Sequence, residues 1–569
     1  MANGFGSVYI GSSGLQAAQN ALNTTANNIA NVGTAGYVRQ QVRFSDKQYD
    51  LLKNPTSITN AHQSGLGVSI GDVVHARDVF LDKTYRLEKG REAFYETCYE
   101  TTSYIEDLLQ ELDGEEFKQS VEDMWTAFQE LSKTPADSVV QNLVIQKAEL
   151  LLSRSQNLYE DLKSYQLNID GQIVDHVKRV NEIGDRLYEL SMEIQKVESN
   201  RMETAMTLRD ERDYLLDELS GLANINVRED ETGFVYVTIE GVDFVNEQRC
   251  FNMGTVADDV TGFSRVIWPH FSDEARGVYV DVFRTDGIIS SEANTDVGEI
   301  KAKLLMRGDE YGIYSDLLTT DAYRKIEDKV IIETEAQVDL LFHEIVTTMN
   351  DIFSPNKEIT LDRDITVNGI QYKAGDTIKV LDEENASVGA DGQLPPRELF
   401  ERMGTERYTK MTIGDKEYYV YNEENPEDPN TLYRVGNLQI NSEITKQVTL
   451  LPAFTQNGAV DFALAERLAA AWNNQGMHIN PDDQYPCTFQ EFYDKMIAKL
   501  GTDGNIYKSS RDTMTNTVDS IDNSRQQIIG VSSDEELTKL IKYQSAYNAS
   551  SRFMTVISQM TELIVTGLI

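Results

Sequence analysis

Apolar residues recur at alternating spacings of three and four near both ends of the chain. The first row comprises Val8, Gly11, Leu15, Ala18, Leu22, Thr25, Ile29 and Val32. This spacing predicts an amphipathic helix with a coiled-coil seam, in which small residues alternate with large ones. We expect the helix to stop near Gly33, and Gly36 before Tyr37 predicts a turn that needs a positive φ.

The C-terminal segment carries two neighbouring apolar rows. The first comprises Leu540, Tyr543, Tyr547, Ser550, Met554, Ile557, Thr561, Ile564 and Leu568. The second comprises Ala546, Ala549, Phe553, Val556, Met560 and Leu563. Together they form an apolar arc that is wider than one partner helix can cover. Ser533 and Glu536 predict a capping box at the start of this helix.

Helical periodicity also predicts long helices in the middle of the chain, within blocks at roughly 80–222, 320–354 and 486–569. One row comprises Ile173, His176, Val180, Ile183, Leu187, Leu190, Ile194 and Val197, and we expect His176, its polar member, to pack within it. The segment 208–222 predicts an amphipathic helix with i,i+4 charge pairs such as Arg209 with Asp213.

Alternating β-branched and aromatic residues predict strands between the helical blocks. Single strands are expected at 233–241 and 277–283, and hairpins at 365–380 and 408–422. The order of elements predicts an α+β fold: an elongated, discontinuous helical bundle or coiled coil built from both chain ends, with β-rich domains inserted centrally.

We predict four units along the chain. They are a terminal coiled-coil assembly domain (1–45 with 533–569), a helical bundle domain (46–222 with 320–356 and 455–532), a β-rich inserted domain (223–319) and a second β-rich region (357–454).

Charge separates the two ends from the rest of the chain. The formal net charge is −41, from 93 acidic and 52 basic residues. At that density the first 45 residues should hold about seven acids, yet they hold none. The last 33 residues carry one acid, Glu562. The intervening body therefore holds the entire negative excess, which argues against nucleic acid as a partner and disfavours anionic membranes.

Motif searches give no support for catalysis, a cofactor or a metal site. His343-Glu344 opens like a zinc protease helix, but Thr347 stands where the second histidine must lie. Phosphate-binding glycine motifs and nucleophile elbows do not occur in the sequence. Cys98, Cys250 and Cys487 are far apart, which is typical of unrelated small hydrophobic residues. No apolar run is long enough to cross a membrane, so we expect no membrane insertion, and the N-terminus does not resemble a cleaved signal peptide.

The apolar terminal helices remain to be explained. They could pair only with each other inside one bundle. Alternatively, their remaining apolar arc could pack against copies in neighbouring subunits, which the lack of acids favours because stacked like charges repel.

The terminal segments resemble those of bacterial flagellar axial proteins, the rod, hook and hook-associated group. The similarity rests on SSGLQAAQNALNTTANNIANVGTAGYVRQ at 12–40, GLGVSIGDVVHARDVFLDKTYR at 65–86, the helix at 208–220 and IIGVSSDEELTKLIKYQSAYNASSRFMTVISQM at 528–560. Two departures are Ala35, where the group usually has proline, and Ser532-Ser533, where Asn-Leu is usual.

The resemblance implies a structural role at the junction between the flagellar hook and filament. The implied partners are the flagellar hook protein, the second junction protein, further copies of the chain in a ring, and an export chaperone that holds the C-terminal helix. The resemblance also implies an extracellular location in the flagellum, reached by type III export without a cleaved signal peptide. Alternatives are another axial protein, such as hook protein or the second junction protein, or a secreted adhesin or surface-acting enzyme whose β domains bind ligand.

The same resemblance assigns the assembly interface to particular residues. On the N-terminal side they are Val8, Leu15, Leu22, Asn28, Ile29, Asn31, Gly36 and Tyr37. On the C-terminal side, for assembly or chaperone binding, they are Leu540, Tyr543, Gln544, Tyr547, Phe553, Met554, Ile557 and Ile564. Asn28 and Asn31 could bond backbone groups at the helix end or could be mere helix stops.

Overall fold

A computed structural model describes residues 2–46, 50–52, 62–64, 67–110, 117–199, 204–367, 370–426 and 428–567. The helices in this part of the chain are α1 Ala2–Ala30, α2 Val79–Gln110, α3 Phe117–Lys133, α4 Ser138–Glu198, α5 Met206–Leu222, α6 Glu299–Arg307, α7 Thr320–Tyr323, α8 Val330–Phe353, α9 Ser442–Lys446, α10 Phe462–Ala471, α11 Phe489–Ile529 and α12 Ser533–Gly567. The predicted helical blocks and both terminal helices are confirmed.

The strands are short and antiparallel. They are β1 Gln40–Asp46, β2 Asp50–Leu52, β3 His62–Ser64, β4 Val68–His75, β5 Ile225–Glu229, β6 Val235–Ile239, β7 Val242–Val245, β8 Gly254–Ala257, β9 Ser264–Ile267, β10 Asn356–Thr360, β11 Ile365–Val367, β12 Ile370–Tyr372, β13 Thr377–Leu381, β14 Phe400–Arg402, β15 Tyr408–Ile413, β16 Lys416–Tyr421 and β17 Leu438–Ile440. They pair as β1-β4, β2-β3, β5-β6-β7, β8-β9, β10-β13-β16-β15, β11-β12 and β14-β17.

The helical body is organised around α4, which is 61 residues long. Helices α3, α5, α6 and α8 pack along it, while α2 pairs with α11. One continuous apolar core joins these helices to β6 and β7. A helix this long is stable here because its apolar stripe is buried along its length, which propensity alone would not achieve.

The apolar row of α4 is confirmed except at His176 and at its last member, Val197, which is exposed. Ile173, Val177, Val180 and Ile183 are buried, so Val177 takes the place that was predicted for His176. The imidazole of His176 lies beside the row, half-buried, with Nδ1 3.7 Å from Oε1 of Glu299. Its polar ring therefore reaches a carboxylate instead of the dry core.

The β regions follow the predicted pattern with one exception. A strand is confirmed within 233–241, and hairpins are confirmed within 365–380 and 408–422. The strand predicted at 277–283 is wrong, because this segment forms only isolated bridges, from Asp273 to Val278 and from Ile267 to Asp281. The hydroxyl oxygen of Ser272 accepts a hydrogen bond from the amide of Val280, so this amide cannot pair with a neighbouring strand.

The sheet β10-β13-β16-β15 encloses a small apolar core of its own. It comprises Leu361, Val367, Ile378, Val380, Ile413 and Val420. Outside the sheets, the segment 284–319 is built around α6 and short turns, and α6 packs on α2 and α4. The domain limits given above remain a prediction.

Candidate functional site: the terminal helix pair

Helices α1 and α12 pack against each other in antiparallel directions. A Cβ atom built on Gly11 would lie beside Met554, and one built on Gly14 would lie 3.0 Å from the hydroxyl oxygen of Ser550. At the other end of α1, Asn28 contacts Glu536. Residue numbers therefore rise along one helix as they fall along the other, and the 3,4 seams of the two helices face each other.

Glycine allows the close approach of the two helices. A Cβ on Gly11 would stand only 2.6 Å from the sulfur of Met554 and 3.0 Å from Cδ1 of Phe553. Real Cβ atoms are almost never found as close as 2.6 Å to another heavy atom, so a side chain at this position requires the Met554 side chain or the helices to shift. By contrast, a Cβ on Gly6 would meet nothing within 4 Å.

The β1-β4 hairpin covers a second side of the pair. The ring of Phe44 meets the ring of Tyr543 edge-on, with centroids 6.1 Å apart. The amide of Val68 donates to the hydroxyl of Ser13 at 3.3 Å. The hairpin therefore contacts both helices and takes up part of the apolar arc.

A large part of the apolar arc of α12 stays open to solvent. Within the described residues, Phe553, Val556, Met560, Leu563 and Ile564 are 41%, 49%, 59%, 76% and 57% exposed. We call these five side chains the open row. Four of them belong to the second row predicted from the sequence, and Ile564 belongs to the first. Large exposed apolar patches on a monomer mark interaction sites.

The predicted interface residues divide by their exposure. Asn28 is buried, whereas Gly36, Gln544, Phe553 and Ile564 are exposed. The remainder are half-buried, namely Val8, Leu15, Leu22, Ile29, Asn31, Tyr37, Leu540, Tyr543, Tyr547, Met554 and Ile557. The half-buried residues present part of their surface outward. The assembly role of this set remains a prediction.

Asn28 is the polar centre of the pair. Its Nδ2 donates to the backbone oxygen of Gln40 and to Oε2 of Glu536, both at 3.0 Å. Its Oδ1 accepts from the hydroxyl of Tyr37 at 2.8 Å and from the amide of Gln40 at 3.0 Å. Burial, with the carboxylates of Asp210 and Glu536, raises the pKa of Tyr37 to about 12, so this hydroxyl stays protonated and donates. Both asparagines therefore bond backbone groups at the helix end: Asn28 bonds those of Gln40, and Nδ2 of Asn31 donates to the backbone oxygen of Asn27 at 2.9 Å.

The capping box predicted at Ser533 and Glu536 is wrong. Ser533 is already in the helix, and the residue before it, Ser532, places its hydroxyl 3.5 Å from the amide of Glu535. The carboxylate of Glu536 bonds Asn28 and the ammonium of Lys539. A buried amide donor and a cation together satisfy this carboxylate better than one helix-end amide would.

The segment after α1 is held against the body. The amide of Arg39 donates to the backbone oxygen of Ile529 at the end of α11, at 2.9 Å. The amide of Val38 donates to Oδ2 of Asp210 at 3.4 Å. Asp210 also lies 3.3 Å from Nε2 of His75. Burial raises the pKa of Asp210 to about 7, and burial with nearby arginines lowers the pKa of His75 to about 4.

Three arginines and three aspartates bind the ends of α2, α5 and α11 together. We call this set the joint cluster; its members are Arg77, Arg86, Arg525, Asp82, Asp213 and Asp217. Arg525 is 5% exposed at its side chain and contacts Asp82 at 2.9 Å and Asp217 at 2.7 Å. The predicted i,i+4 pair is therefore wrong, because Asp213 binds Arg77 and Arg86 while Arg209 binds Glu198 and Glu229.

His343, which opens the sequence that resembles a zinc protease helix, contacts protein side chains in the structure. Nε2 of His343 lies 2.9 Å from Oε2 of Glu424, and the imidazole stacks on Tyr314. Among the residues that the structure describes, no group of three or more His, Cys, Asp or Glu side chains is placed to hold a metal ion. Over the same residues, each helix is too short or too polar to cross a membrane.

Three family profiles match this chain. The profile described as "Flagellar hook-associated protein FlgK helical domain" matches 102–360. The profile described as "Flagella basal body rod protein" matches 8–37, and "Flagellar basal body rod FlgEFG protein C-terminal" matches 514–566. The two rod profiles therefore fall on α1 and on the end of α11 with α12.

Full-length relatives give the same picture. Flagellar hook-associated protein 1 of Bacillus subtilis is 25% identical over 561 residues, which cover 97% of this chain and 96% of the relative. The proteins of the same name from Salmonella typhimurium and Escherichia coli are 24% and 22% identical, each covering 95% of this chain and 96% of the relative. A solved structure of the flagellar hook junction protein FlgK from Burkholderia pseudomallei overlaps 78% of this chain and 99% of its own, with a TM-score of 0.48 and 12% identity.

Proposed function

Because this chain belongs to the flagellar rod, hook and hook-associated family, as a homologue of hook-associated protein 1 and a structural component of the flagellum, we propose that it forms the junction ring between hook and filament. The ring forms when the terminal helix pair of each copy packs against the pairs of its neighbours. The acidic body lies outside this packed layer. No catalytic step is part of this function.

The open row of α12 is the observation that carries the proposal. Five large apolar side chains stand exposed on a helix that packs on α1 along its length and is contacted by Phe44 of the β1-β4 hairpin at Tyr543. Full burial of one such side chain stabilises an association by roughly 1.5–3 kcal/mol. Burial of the open row in a neighbouring subunit would therefore strongly favour assembly. Neighbours can stack closely because the first 45 residues hold no acid and the last 33 hold one.

The packing partners follow from the position of the chain in the flagellum. The chain associates with other flagellar axial components and with itself. Within the proposal these components are hook protein on one side of the ring and the second junction protein on the other. An export chaperone covers the open row in the cytosol, since such a row is otherwise a site of aggregation. The folded protein resides outside the cell, after type III export without a cleaved signal peptide.

A deletion strain tests the proposal. We expect it to make hooks and to shed filament subunits into the medium, as seen by electron microscopy and by immunoblotting of the culture supernatant. Normal filaments in the deletion strain would refute the junction role. Loss of the hooks themselves would instead support the alternative that this chain is hook protein.

Complementation of that strain tests the open row. A Met560→Asp, Leu563→Asp double variant places two charges where neighbours must pack, and we expect it to restore few or no filaments. The matched control is Val260→Asp, Ile288→Asp, because those side chains are 92% and 86% exposed on the body. The control should restore filaments. Equal complementation by the two double variants would count against packing through the open row.

A further inference from the structure

Two adjacent apolar side chains stand exposed where the terminal pair joins the body. Val79 and Phe80, in the first turn of α2, are 79% and 74% exposed. Oδ1 of Asp78 accepts from the amide of Phe80 at 2.9 Å and caps the helix. Asp82, about one turn further along α2, forms an ion pair with Arg525. We call Val79 and Phe80 the knob; its backbone is fixed from both sides, so docking it costs little ordering entropy.

A crevice lies at the same end of the body. It has a volume of about 350 Å³ and separates the turn after α1 from the ends of α5 and α11. Its lining mixes apolar and aromatic residues, including Val32, Ile529, Val531 and Tyr214, with uncharged polar ones, including Asn31 and Gln526. Val32 and Tyr214 are each 52% exposed at its rim. The knob does not line the crevice, so the chain leaves it unfilled.

The charges around the crevice are already paired. Arg77 and Arg525 line it together with Asp213, Asp217 and Asp522. Asp213 pairs with Arg77 and Asp217 with Arg525, while Asp522 lies 3.8 Å from Arg525. An apolar group can therefore enter without stripping water from an unpaired charge, which would cost several kcal/mol. The exposed side chains of Val32 and Tyr214 at the rim give an apolar side chain a surface on which to pack.

We infer that the knob of one copy docks in the crevice of the neighbouring copy. Knob and crevice are two different patches of the same chain, and a contact between unlike patches repeats head to tail, which gives a ring when the rotation between copies closes. Arg77 lines the crevice and lies two residues before the knob, so the contact continues outward from the terminal pair that mediates self-association. This inference rests on the proposed function and names a second contact within the same ring.

Site-directed crosslinking tests the contact. In a Cys250→Ser background, which leaves the buried Cys98 and Cys487 as the other cysteines, we would combine Phe80→Cys with Tyr214→Cys. The variant would be expressed in the deletion strain, and intact hook–filament structures would be treated with a short bismaleimide. We expect multimers of this chain on a denaturing gel for the double variant, and none for either single variant or for the purified monomer.

The result separates the inference from the proposed function. If the double variant restores filaments but yields no multimers, or crosslinks to hook protein, the knob contact is overturned while the junction role stands. If the unmutated chain fails to restore filaments, the junction role itself fails.

A second variant tests the knob without new cysteines. Val79→Asp, Phe80→Asp should leave the melting temperature of the monomer unchanged, because both side chains are exposed in it. We expect filament subunits in the medium to rise about tenfold, the effect of losing about 1.4 kcal/mol per contact. The body control Val260→Asp, Ile288→Asp should cause no rise. Equal shedding by the two double variants would overturn the inference.

Discussion

Nδ2 of Asn28 donates a hydrogen bond to Oε2 of Glu536 across 3.0 Å, and thereby joins the first helix of the chain to the last, 508 positions away. Glu536 is 1% exposed and Asn28 is equally buried. The bond places a carboxylate inside a terminal pair whose other acids are Asp534, Glu535 and Glu562. It fixes the register of α1 on α12 and the turn that leads from α1 to β1.

Removal of the Asn28 amide should loosen the terminal pair. Asn28→Ala leaves the amide and oxygen of Gln40 without their partner and strips one partner from the buried carboxylate of Glu536. We expect a loss of about 2–4 kcal/mol in the unfolding free energy of the pair, measured by hydrogen exchange at residues 20–40. The exposed Asn20→Ala is the control and should change exchange little. Unchanged exchange in Asn28→Ala would show that the network carries no stability.

Two glycines of the same helix should respond in opposite ways. Gly11→Val drives a branched side chain into Met554 and should lower the melting temperature of the pair, at a cost of about 1–3 kcal/mol. Gly6→Ala meets open space in the monomer and should be neutral or stabilising by up to about 1 kcal/mol through helix propensity. Circular dichroism during thermal unfolding measures both. Equal effects of the two substitutions would contradict the close approach at Gly11.

Arg525 should be the costliest member of the joint cluster to remove. Arg525→Met keeps the apolar stem but removes one of the two arginines that each of Asp82 and Asp217 contacts. We therefore expect a cost below the roughly 3–5 kcal/mol of leaving a buried charge with no partner. Lys508→Ala, on an exposed part of the same helix, should stay within about 0.5 kcal/mol. Chemical denaturation of the purified chain compares the two. A cost below about 1 kcal/mol for Arg525→Met would mean that the cluster does not tie α11 to α2 and α5.

The pair His343–Glu424 predicts a pH dependence of stability. Burial opposes the charge on His343, but hydrogen bonds and the charges of Glu344 and Glu424 outweigh it and raise the pKa to about 9. Between pH 6.5 and 9 the folded state holds a proton that the unfolded state has released, so the stability falls as the pH rises through this window. The contribution is full below pH 6.5 and amounts to about 3 kcal/mol.

His343→Gln removes the titrating group and should flatten this part of the pH profile. The test is the difference in unfolding free energy between the unmutated chain and the variant, measured at pH 6 and at pH 9.5. We expect the difference to be large at pH 6 and small at pH 9.5. A difference that does not change with pH would contradict a charged His343.

The helices at both ends could be predicted from the sequence because the apolar periodicity is regular there and a helix needs only local residues to define it. The open row also followed from the pattern, since two neighbouring apolar rows exceed what one partner can cover. His176 shows the limit of spacing alone: both His176 and Val177 fit between Ile173 and Val180, and only the apolar side chain of Val177 indicates which of the two is buried.

The joint cluster could not be predicted because its partners are far apart in the chain. The acids of 208–222 were interpreted as i,i+4 pairs on an exposed face, which is the common arrangement on an isolated helix. Asp213 instead binds Arg77 and Arg86, at a distance of more than a hundred residues. Arg77 and Arg86 lie within 65–86, and Asp213 and Asp217 lie within 208–220. Both segments resemble the same family, and this was the signal that could have suggested a contact between them. The capping box failed for a similar reason, since Glu536 found a partner in α1.

Chemical labelling of one residue of the open row tests the central claim most directly. In a Cys250→Ser background, Leu563→Cys would be treated with a maleimide reagent, both in the purified monomer and in isolated hook–filament structures. The control is Val260→Cys, which is exposed on the body. We predict that position 563 is labelled rapidly in the monomer and at least about tenfold more slowly after assembly, while position 260 is labelled equally in both. Equal labelling of position 563 in the two states would contradict the claim that neighbouring subunits bury this row.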